Sequence, residues 1–343
     1  MKNSAFPPIR AIRIIQLRWF LRFAGLAALA CLVAGAPLAR AQSAYPSKPI
    51  RIISPYSPGG AADTVARTLA PKLSEALGQP VIVENRVGAS GIIGADHVAK
   101  AAPDGYTLLV NLGPSHHTIQ FFSKNVPYDP VKDFTPITIV GTAPQAIVVP
   151  SAMPVKTVGE LLEFARRNPG KVSYGTSGVG TSQHLGGLLL GIAGKAELTH
   201  IAYKGGAAAL NDVLGGQIQV AILVLSNVLP HVRAGRLRAL GVLEAKRARG
   251  APTIPTTAES GVPGYALPDT WVGILGPAGM PPAIVARLDA EITKAMADVR
   301  LRTRLEAAGF EVSGSTPEAF SELLTNSVQV YQKIVTQAHI QSE

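Results

Sequence analysis

The chain has one cysteine in 343 residues, Cys31, and it sits in an apolar run near the N-terminus. Beyond that run there is no thiol, which excludes disulfides, a cysteine nucleophile and thiolate-ligated metal. The seven histidines do not fill the gap: no H-x-x-x-H pair occurs, and His116-His117 has no acidic cluster beside it. Adjacent side chains on an extended segment point to opposite sides, so this pair is expected as polar loop residues. His184 is expected in the first turn of a helix, facing a cleft or packing, and His200 and His231 on a strand and a helix. There is no P-loop, repeat, low-complexity tract or charge block, and no basic stripe interleaved with aromatics, which argues against nucleic acid. In "GTSGVG" Val179 stands where a nucleophile elbow needs its last glycine, and Gln183 stands where the dinucleotide pattern needs one.

What is present begins with an export signal. Residues 1–22 carry five basic and no acidic side chains ahead of the apolar "FAGLAALACLVAGAPLA". That layout, with Ala39-Arg40-Ala41 as an A-x-A site, predicts a cleavable signal peptide over 1–41. A retained membrane anchor is the alternative, disfavoured because Phe23 to Ala36 is short and built of small side chains. A lipid-modified Cys31 is disfavoured by Ala28 at the usual leucine position of a lipobox. Cleavage changes the charge: the chain is +10, and losing Lys2, Arg10, Arg13, Arg18, Arg22 and Arg40 leaves 10 − 6 = +4. A small positive excess mildly favours anionic ligands.

From Pro49 onward, short β-rich runs alternate with helical patterns: "IRIIS", "VIVE", "YTLLV", "ITIV", "AIVVP", "KVSYG", "THIAY", "VAILV", "RALGV" and "WVGIL". The alternation predicts parallel sheets flanked by helices. Ten strands over some 302 residues are many for one sheet, so two α/β lobes are expected. "ITIVGTAPQAIVVP" reads as a crossover between them, and the Pro/Gly-rich stretch from Ala251 to Pro268 as the return. Thr157 and Glu160 form a capping-box pattern for a helix that Asn168-Pro169-Gly170 stops. In the late helix Val285, Leu288, Ile292, Met296 and Val299 are expected on one buried face. Pro71 is expected to kink or restart its helix.

Four Gly-rich loops follow predicted strands: "SPGGAAD", "GASGIIG", "GTSGVGTSQH" and "KGGAAA". Open α/β sheets bind ligands at such loops, and a helix N-terminus offers unpaired N–H groups that glycine lets an anion reach. Each charge-assisted hydrogen bond contributes about 1.5–3 kcal/mol, so two or three supply much of the roughly 8 kcal/mol of micromolar binding. Taken singly, each loop is equally well an ordinary α/β connection. Asp63 has a similarly plain reading, since a carboxylate in the first turn stabilises any helix by about 0.3–1 kcal/mol. Tyr56 is placed to stack on or enclose a ligand.

The stretches "YPSKPIRII", "PYSPGGAADTVAR", "ENRVGASGIIGADHVAKAAPDGYTLL", "PYDPVKDFTPI", "YGTSGVGTSQHL", "IAYKGGAAALNDVLGGQIQ", "LPHVRAGRLRALGV" and "GILGPAGMPPAIVARL", in this order, resemble the Bug-type substrate-binding proteins of tripartite tricarboxylate transporters. The resemblance spans the whole chain after the signal segment. It implies a type II periplasmic binding fold: two α/β lobes, two crossover strands and a ligand cleft between the lobes. On this sequence it implies one lobe from 42–142 and 266–343 and the other from 143–265. It implies a periplasmic, non-enzymatic monomer without cofactors that binds a small carboxylate and delivers it to membrane permease subunits. A periplasmic sensor's ligand-binding partner is the second reading; a hydrolase or lyase lacks a positioned nucleophile, base and orienter.

Carried over residue by residue, the resemblance gives Tyr56, Gly60 and Ala61 from the first loop. The second-lobe loop gives Thr176, Ser177, Gly180, Thr181 and Ser182, with Lys204 and Gly205 for the distal end of the ligand. Three positions depart from the family's pattern. Ile222 and Leu223 replace a Phe-Asp pair, so an aspartate able to recognise an amino or hydroxyl group is missing and a less polar ligand is expected. Val87 replaces a proline before Gly88, and His116-His117 stands at a Thr-His-Ala stretch.

Overall fold

Two sheets organise the chain. The computed structural model describes residues 45–340; the signal-peptide segment and Cys31 lie outside the described residues. The first sheet holds six strands in the order β11-β4-β10-β3-β1-β2. These are β1 (Ile50–Ser54), β2 (Val81–Asn85), β3 (Thr107–Leu112), β4 (Phe134–Thr142), β10 (Trp271–Pro277) and β11 (Glu311–Val312). The second sheet, ordered β7-β6-β8-β5-β9, comprises β5 (Gln145–Pro150), β6 (Ser173–Thr176), β7 (Thr199–Ala202), β8 (Val220–Val224) and β9 (Leu237–Val242). All ten predicted runs are strands. The eleventh, β11, is two residues long and carries no pattern of its own.

The sheets are mixed, not parallel as expected. β1 pairs parallel with β2 and β3, and β6 with β7 and β8. β10 runs antiparallel to β3 and β4, and β5 antiparallel to β8 and β9. The reason is topological. The chain leaves the first sheet at Thr142, enters the second at Gln145 three residues later and returns as β10, so the strands after each passage run against their neighbours. Local residue preference carries no information about that direction.

Burial follows position in the sheet. Every residue of β3, β8 and β10 is buried, whereas the edge strands β2 and β7 are mostly half-buried or exposed. Each fully buried Ile, Leu or Val contributes about 1.5–3 kcal/mol, so the central strands dominate the stability of each lobe. Between strands lie the helices α1 (Ala61–Leu77), α2 (Ile92–Ala99), α3 (Ser115–Thr118), α4 (Val158–Arg167), α5 (Ser182–Gly194) and α6 (Gly206–Leu214), followed by α7 (Leu225–Arg233), α8 (Pro282–Ala297), α9 (Val299–Ala307) and α10 (Pro317–Gln337). Among the described residues no helix is long and apolar enough to cross a membrane.

Local signals decide where the helices begin and end. The Thr157 hydroxyl accepts from the Glu160 amide at 3.1 Å and starts α4, while the Glu160 carboxylate reaches back to the Lys156 amide at 2.6 Å. α1 buries Ala62, Val65, Ala66, Leu69 and Leu73, and Gly78 ends it in the left-handed region at φ 67°. It continues through Pro71 as one helix and does not restart there. Pro71 is exposed, so water can satisfy the carbonyl that the missing N–H leaves unpaired. The late helix is two helices: Asp298 accepts from the Arg300 and Leu301 amides at 2.9 and 3.0 Å and starts α9 anew. Val299, expected in the core, is therefore 76 % exposed, while Val285, Leu288, Ile292 and Met296 are buried.

Candidate ligand-binding cleft

Loops at the carboxyl ends of the parallel strands meet between the two sheets. The turn after β1 starts α1 at Gly60, and no side chain caps that end. Its shape is set from below by Asp63, which is 2 % exposed. The Asp63 carboxylate accepts from the Gly59 amide at 2.9 Å, Arg67 Nε at 3.0 Å and Asn85 Nδ2 at 2.8 Å. Asn85 also donates to the Tyr56 carbonyl at 3.0 Å. Burial opposes ionisation of Asp63, but the hydrogen bonds from Arg67, Gly59 and Asn85 outweigh it and hold the carboxyl below the usual range. Asp63 is thus the fastener of the turn, a role that its first-turn position alone did not reveal. The amides of Ala61, Ala62 and Asp63 begin the helix and have no acceptor within it.

The corresponding loop of the second lobe, between β6 and α5, is organised differently. Thr181 Oγ1 accepts from the His184 amide at 3.3 Å and donates to the Gly178 carbonyl at 2.8 Å. Thr176 Oγ1 lies 2.8 Å from His200 Nε2, and the Gly178 amide donates to it at 3.2 Å. The Gly180 amide donates to His184 Nδ1 at 3.1 Å, and the Ser177 amide to Gln183 Oε1 at 2.8 Å. Most polar groups of this loop are therefore engaged within the protein.

The two loop sets touch. Ser57 donates its hydroxyl proton to the Lys204 carbonyl, Thr118 donates to the Gly180 carbonyl, and the Ser182 amide donates to Ser115 Oγ at 3.2 Å. Gly178 and Gly205 make the approach possible: a Cβ at Gly178 would lie 2.4 Å from Ser90 Oγ, and one at Gly205 would lie 2.6 Å from Ser57 Oγ. Between the loops is a cavity of about 200 Å³, walled by Tyr56, the Gly88–Gly91 turn, Ser177 to Val179, and Ala202 to Lys204. Such a volume suits a small solute. Among the described residues Lys204 is the charged member of the wall. Tyr56 is buried, and burial pushes its hydroxyl up to about 12, opposed by a hydrogen bond with Ser115.

Of the ten residues expected at the site, Tyr56, Ser177 and Lys204 line this cavity. Gly60, Ala61 and Gly205 lie buried behind it in the same turns; Thr176, Gly180 and Thr181 are buried in hydrogen bonds within the second lobe, and the Ser182 amide is taken up by Ser115 of the first lobe. Ser90, Ser115 and Thr118 also stand at the meeting of the lobes. The "GASGIIG" turn signalled the first of these; the other two were obscured by the neighbouring histidines. Ile222 and Leu223 are fully buried in β8, and Leu223 packs with Ala209 and Val213 beneath α6. A larger hollow of about 680 Å³ on the outer face of the first lobe is lined by charges already paired, Lys48 with Asp104 and Lys100 with Asp96.

Four of the histidines pack inside the protein around this region. His116 and His117 are buried on α3, not a polar loop pair: His116 Nε2 donates to the Pro130 carbonyl at 2.9 Å, and Nδ1 accepts from Asn111 Nδ2 at 3.0 Å. His117 packs against Tyr331, ring centres 5.4 Å apart. His184 stacks on His200 with ring centres 3.9 Å apart. Burial lowers these four rings to about 4 for His116 and His200 and about 3 for His117 and His184, so all are neutral near pH 7. Among the described residues no group of three or more metal-ligating side chains comes together.

Known proteins share this architecture. A solved structure of the periplasmic binding protein BugD superposes with a TM-score of 0.82 and 33 % identity, covering 87 % of this chain and all of the other. An R. palustris protein solved with adipate matches with a TM-score of 0.83 and 32 % identity over 87 % of this chain and 100 % of its own. A protein from the tcbD-tcbE intergenic region of Pseudomonas sp. (strain P51) is 39 % identical over 295 residues, 86 % of this chain and 87 % of that one. The model of the tripartite tricarboxylate transporter family receptor, TctC, matches residues 65–340. The chain therefore belongs to the TctC family of receptors, among the Bug-type periplasmic binding proteins.

Proposed function

We propose that the protein is an extracytoplasmic solute receptor that binds a small organic carboxylate between its lobes and delivers it to the permease of a tripartite tricarboxylate-type transporter. The observation that carries this reading is the uncapped N-terminus of α1 behind Tyr56: three backbone amides without helical acceptors, in a turn fixed by Asp63. A carboxylate there gains two or three charge-assisted hydrogen bonds of about 1.5–3 kcal/mol each and about 0.3–1 kcal/mol from the helix dipole. Lys204, the charged residue of the cavity wall, suits a second carboxylate. The adipate-bound relative supports a dicarboxylate. Leu223 at the family's aspartate position favours a ligand without an amine.

In this reading the chain catalyses nothing. The test is to incubate the protein with adipate, succinate, aspartate and benzoate, follow its melting temperature, and recover each acid. A saturable rise with adipate or succinate, the acid being recovered unchanged, is expected. Turnover without stabilisation would overturn the receptor reading, and a preference for aspartate would overturn the assignment of a ligand without an amine.

A further inference from the structure

Between the hinge and the cleft runs a line of buried polar side chains that ligand contact does not explain. Where the chain passes between the sheets, three segments are stitched together: the Ala143 amide to the Thr270 carbonyl at 2.7 Å, Leu243 to Gln145 at 2.9 Å and Leu267 to Leu243 at 2.8 Å. The carboxyl group of Glu244, 4 % exposed, lies in that knot and accepts from the Gln145 amide at 3.0 and 3.2 Å. The Gln145 side chain, itself buried, accepts from Gln183 Nε2 at 3.0 Å. The amide oxygen of Gln183 accepts both the Ser177 amide at 2.8 Å and the Ser177 hydroxyl at 2.6 Å. Ser177 is a wall of the cavity.

We propose that Glu244, Gln145 and Gln183 form a relay in which the two glutamines position Ser177 and ligand affinity responds to the protonation of Glu244 at the hinge. This rests on the receptor reading above. A glutamine suits the middle of such a line because it donates and accepts at once. The links from Glu244 through Gln145 to Gln183 are buried and the last, to Ser177, is half-buried, so a shift at the hinge end is passed along the line with little solvent to absorb it.

The surroundings of Glu244 set the pH range. Burial pushes it up to about 8, opposed by the Gln145 amide and reinforced by the charges of Asp269 and Glu311. Lys246, Arg247 and Arg249 line the same hollow of about 160 Å³; Arg247 is paired with Glu259 and Arg249 with Glu311. The hydroxyls of Tyr265 and Tyr331 lie close and are raised far out of the range by burial. The cleft histidines are lowered to about 3 and 4, and Tyr56 is raised to about 12, so neither titrates between pH 7 and 9. A dicarboxylate ligand is fully ionised throughout that range.

Ionisation of Glu244 adds a negative charge beside Asp269 and Glu311 and makes its hydrogen bond from the Gln145 amide charge-assisted, which draws Gln145 toward the hinge and stretches the bond from Gln183 that positions Ser177. Affinity therefore falls as pH rises. Because the folded pKa is raised, stability is greatest below the ordinary glutamate range and declines as pH climbs through about 8.

The experiment measures adipate affinity by calorimetry, melting temperature, and the amide shifts of Gln145 and Ser177, each from pH 7 to 9. In the unaltered protein affinity is expected to weaken about five- to tenfold, and both amide shifts to titrate together. Glu244→Gln keeps an acceptor for Gln145 and is expected to flatten all three profiles. Gln183→Met breaks the line beyond Gln145: affinity should be weaker and independent of pH, while the melting temperature still declines with pH as in the unaltered protein. Gln183→Glu, which keeps the acceptor oxygen, should restore part of the affinity. An unchanged affinity profile in Glu244→Gln, or in a folded Gln183→Met, overturns the relay; if Gln183→Met does not fold, Glu244→Gln decides. If adipate does not bind at all, the ligand reading fails separately, and the relay stands or falls on whether the Ser177 amide shift follows Glu244.

Discussion

The two loops that face each other across the cleft are built on opposite plans. Each joins a parallel strand to a helix, yet α1 begins at a glycine that caps nothing, and α5 begins at a threonine that caps its own helix. In the first loop, hydrogen bonding runs beneath the turn, through Asp63, and leaves the first helix amides without a capping side chain. In the second it runs within the loop and consumes most of the donors. The lesson is that similar Gly-rich motifs are built for different work. Under the proposed function the first is a receptacle for charge and the second a wall, so that a carboxylate is held chiefly by the first lobe.

The largest expected effect tests that division directly. Gly60 is extended, at φ −72° and ψ 170°, and a Cβ there would sit 3.0 Å from the Ser57 carbonyl oxygen. Gly60→Val is thus expected to remain folded while adipate affinity falls at least about 100-fold, close to 3 kcal/mol. Calorimetry together with ligand-induced stabilisation checks it; normal binding would mean that the first turn is only a connection.

A smaller effect is expected from Asp63→Ala, which removes the support beneath the same turn and leaves the Gly59 amide and Arg67 Nε without their acceptor. Stability should fall by about 2 kcal/mol, as measured by urea unfolding at pH 7. Because the folded pKa is lowered, the stabilising contribution is present above the ordinary aspartate range and lost as pH falls through the lower folded value. The difference between the two proteins should therefore shrink on acidification from pH 5 toward pH 2.

The smallest effect belongs to the second loop. Thr181→Ala removes the cap of α5, and a loss of about 1 kcal/mol in stability is expected. Adipate affinity should change by less than about threefold. A loss of binding as large as that of Gly60→Val would erase the distinction between receptacle and wall.

Much of the fold was legible. The β-branched runs marked ten strands because burial in a central sheet demands such side chains whichever way their neighbours run. That same indifference hid the antiparallel direction of β5 and β10. The capping box of α4 was legible because it is complete within four residues. The restart at Asp298 was hidden by an apolar spacing that continues past it, which placed exposed Val299 in the core. The site was legible as a set of turns. What its side chains do was less so: Asp63 looked like an ordinary first-turn acid because Asn85 is 22 residues away in sequence, and the burial of His116 depends on Asn111 and the distant Pro130 carbonyl.

Gly178, set against Ser90, has a metrological consequence. The two lobes approach here with backbone set against a serine side chain, and neither partner offers a long side chain that could yield. In the proposed receptor this contact would serve as a calliper's fixed end-stop. The gap at closure would then be constant, and a solute too long for it would hold the jaws apart instead of reshaping the walls. Moving the stop by one methyl group, as Gly178→Ala would, resets the instrument without touching the charges that it grips.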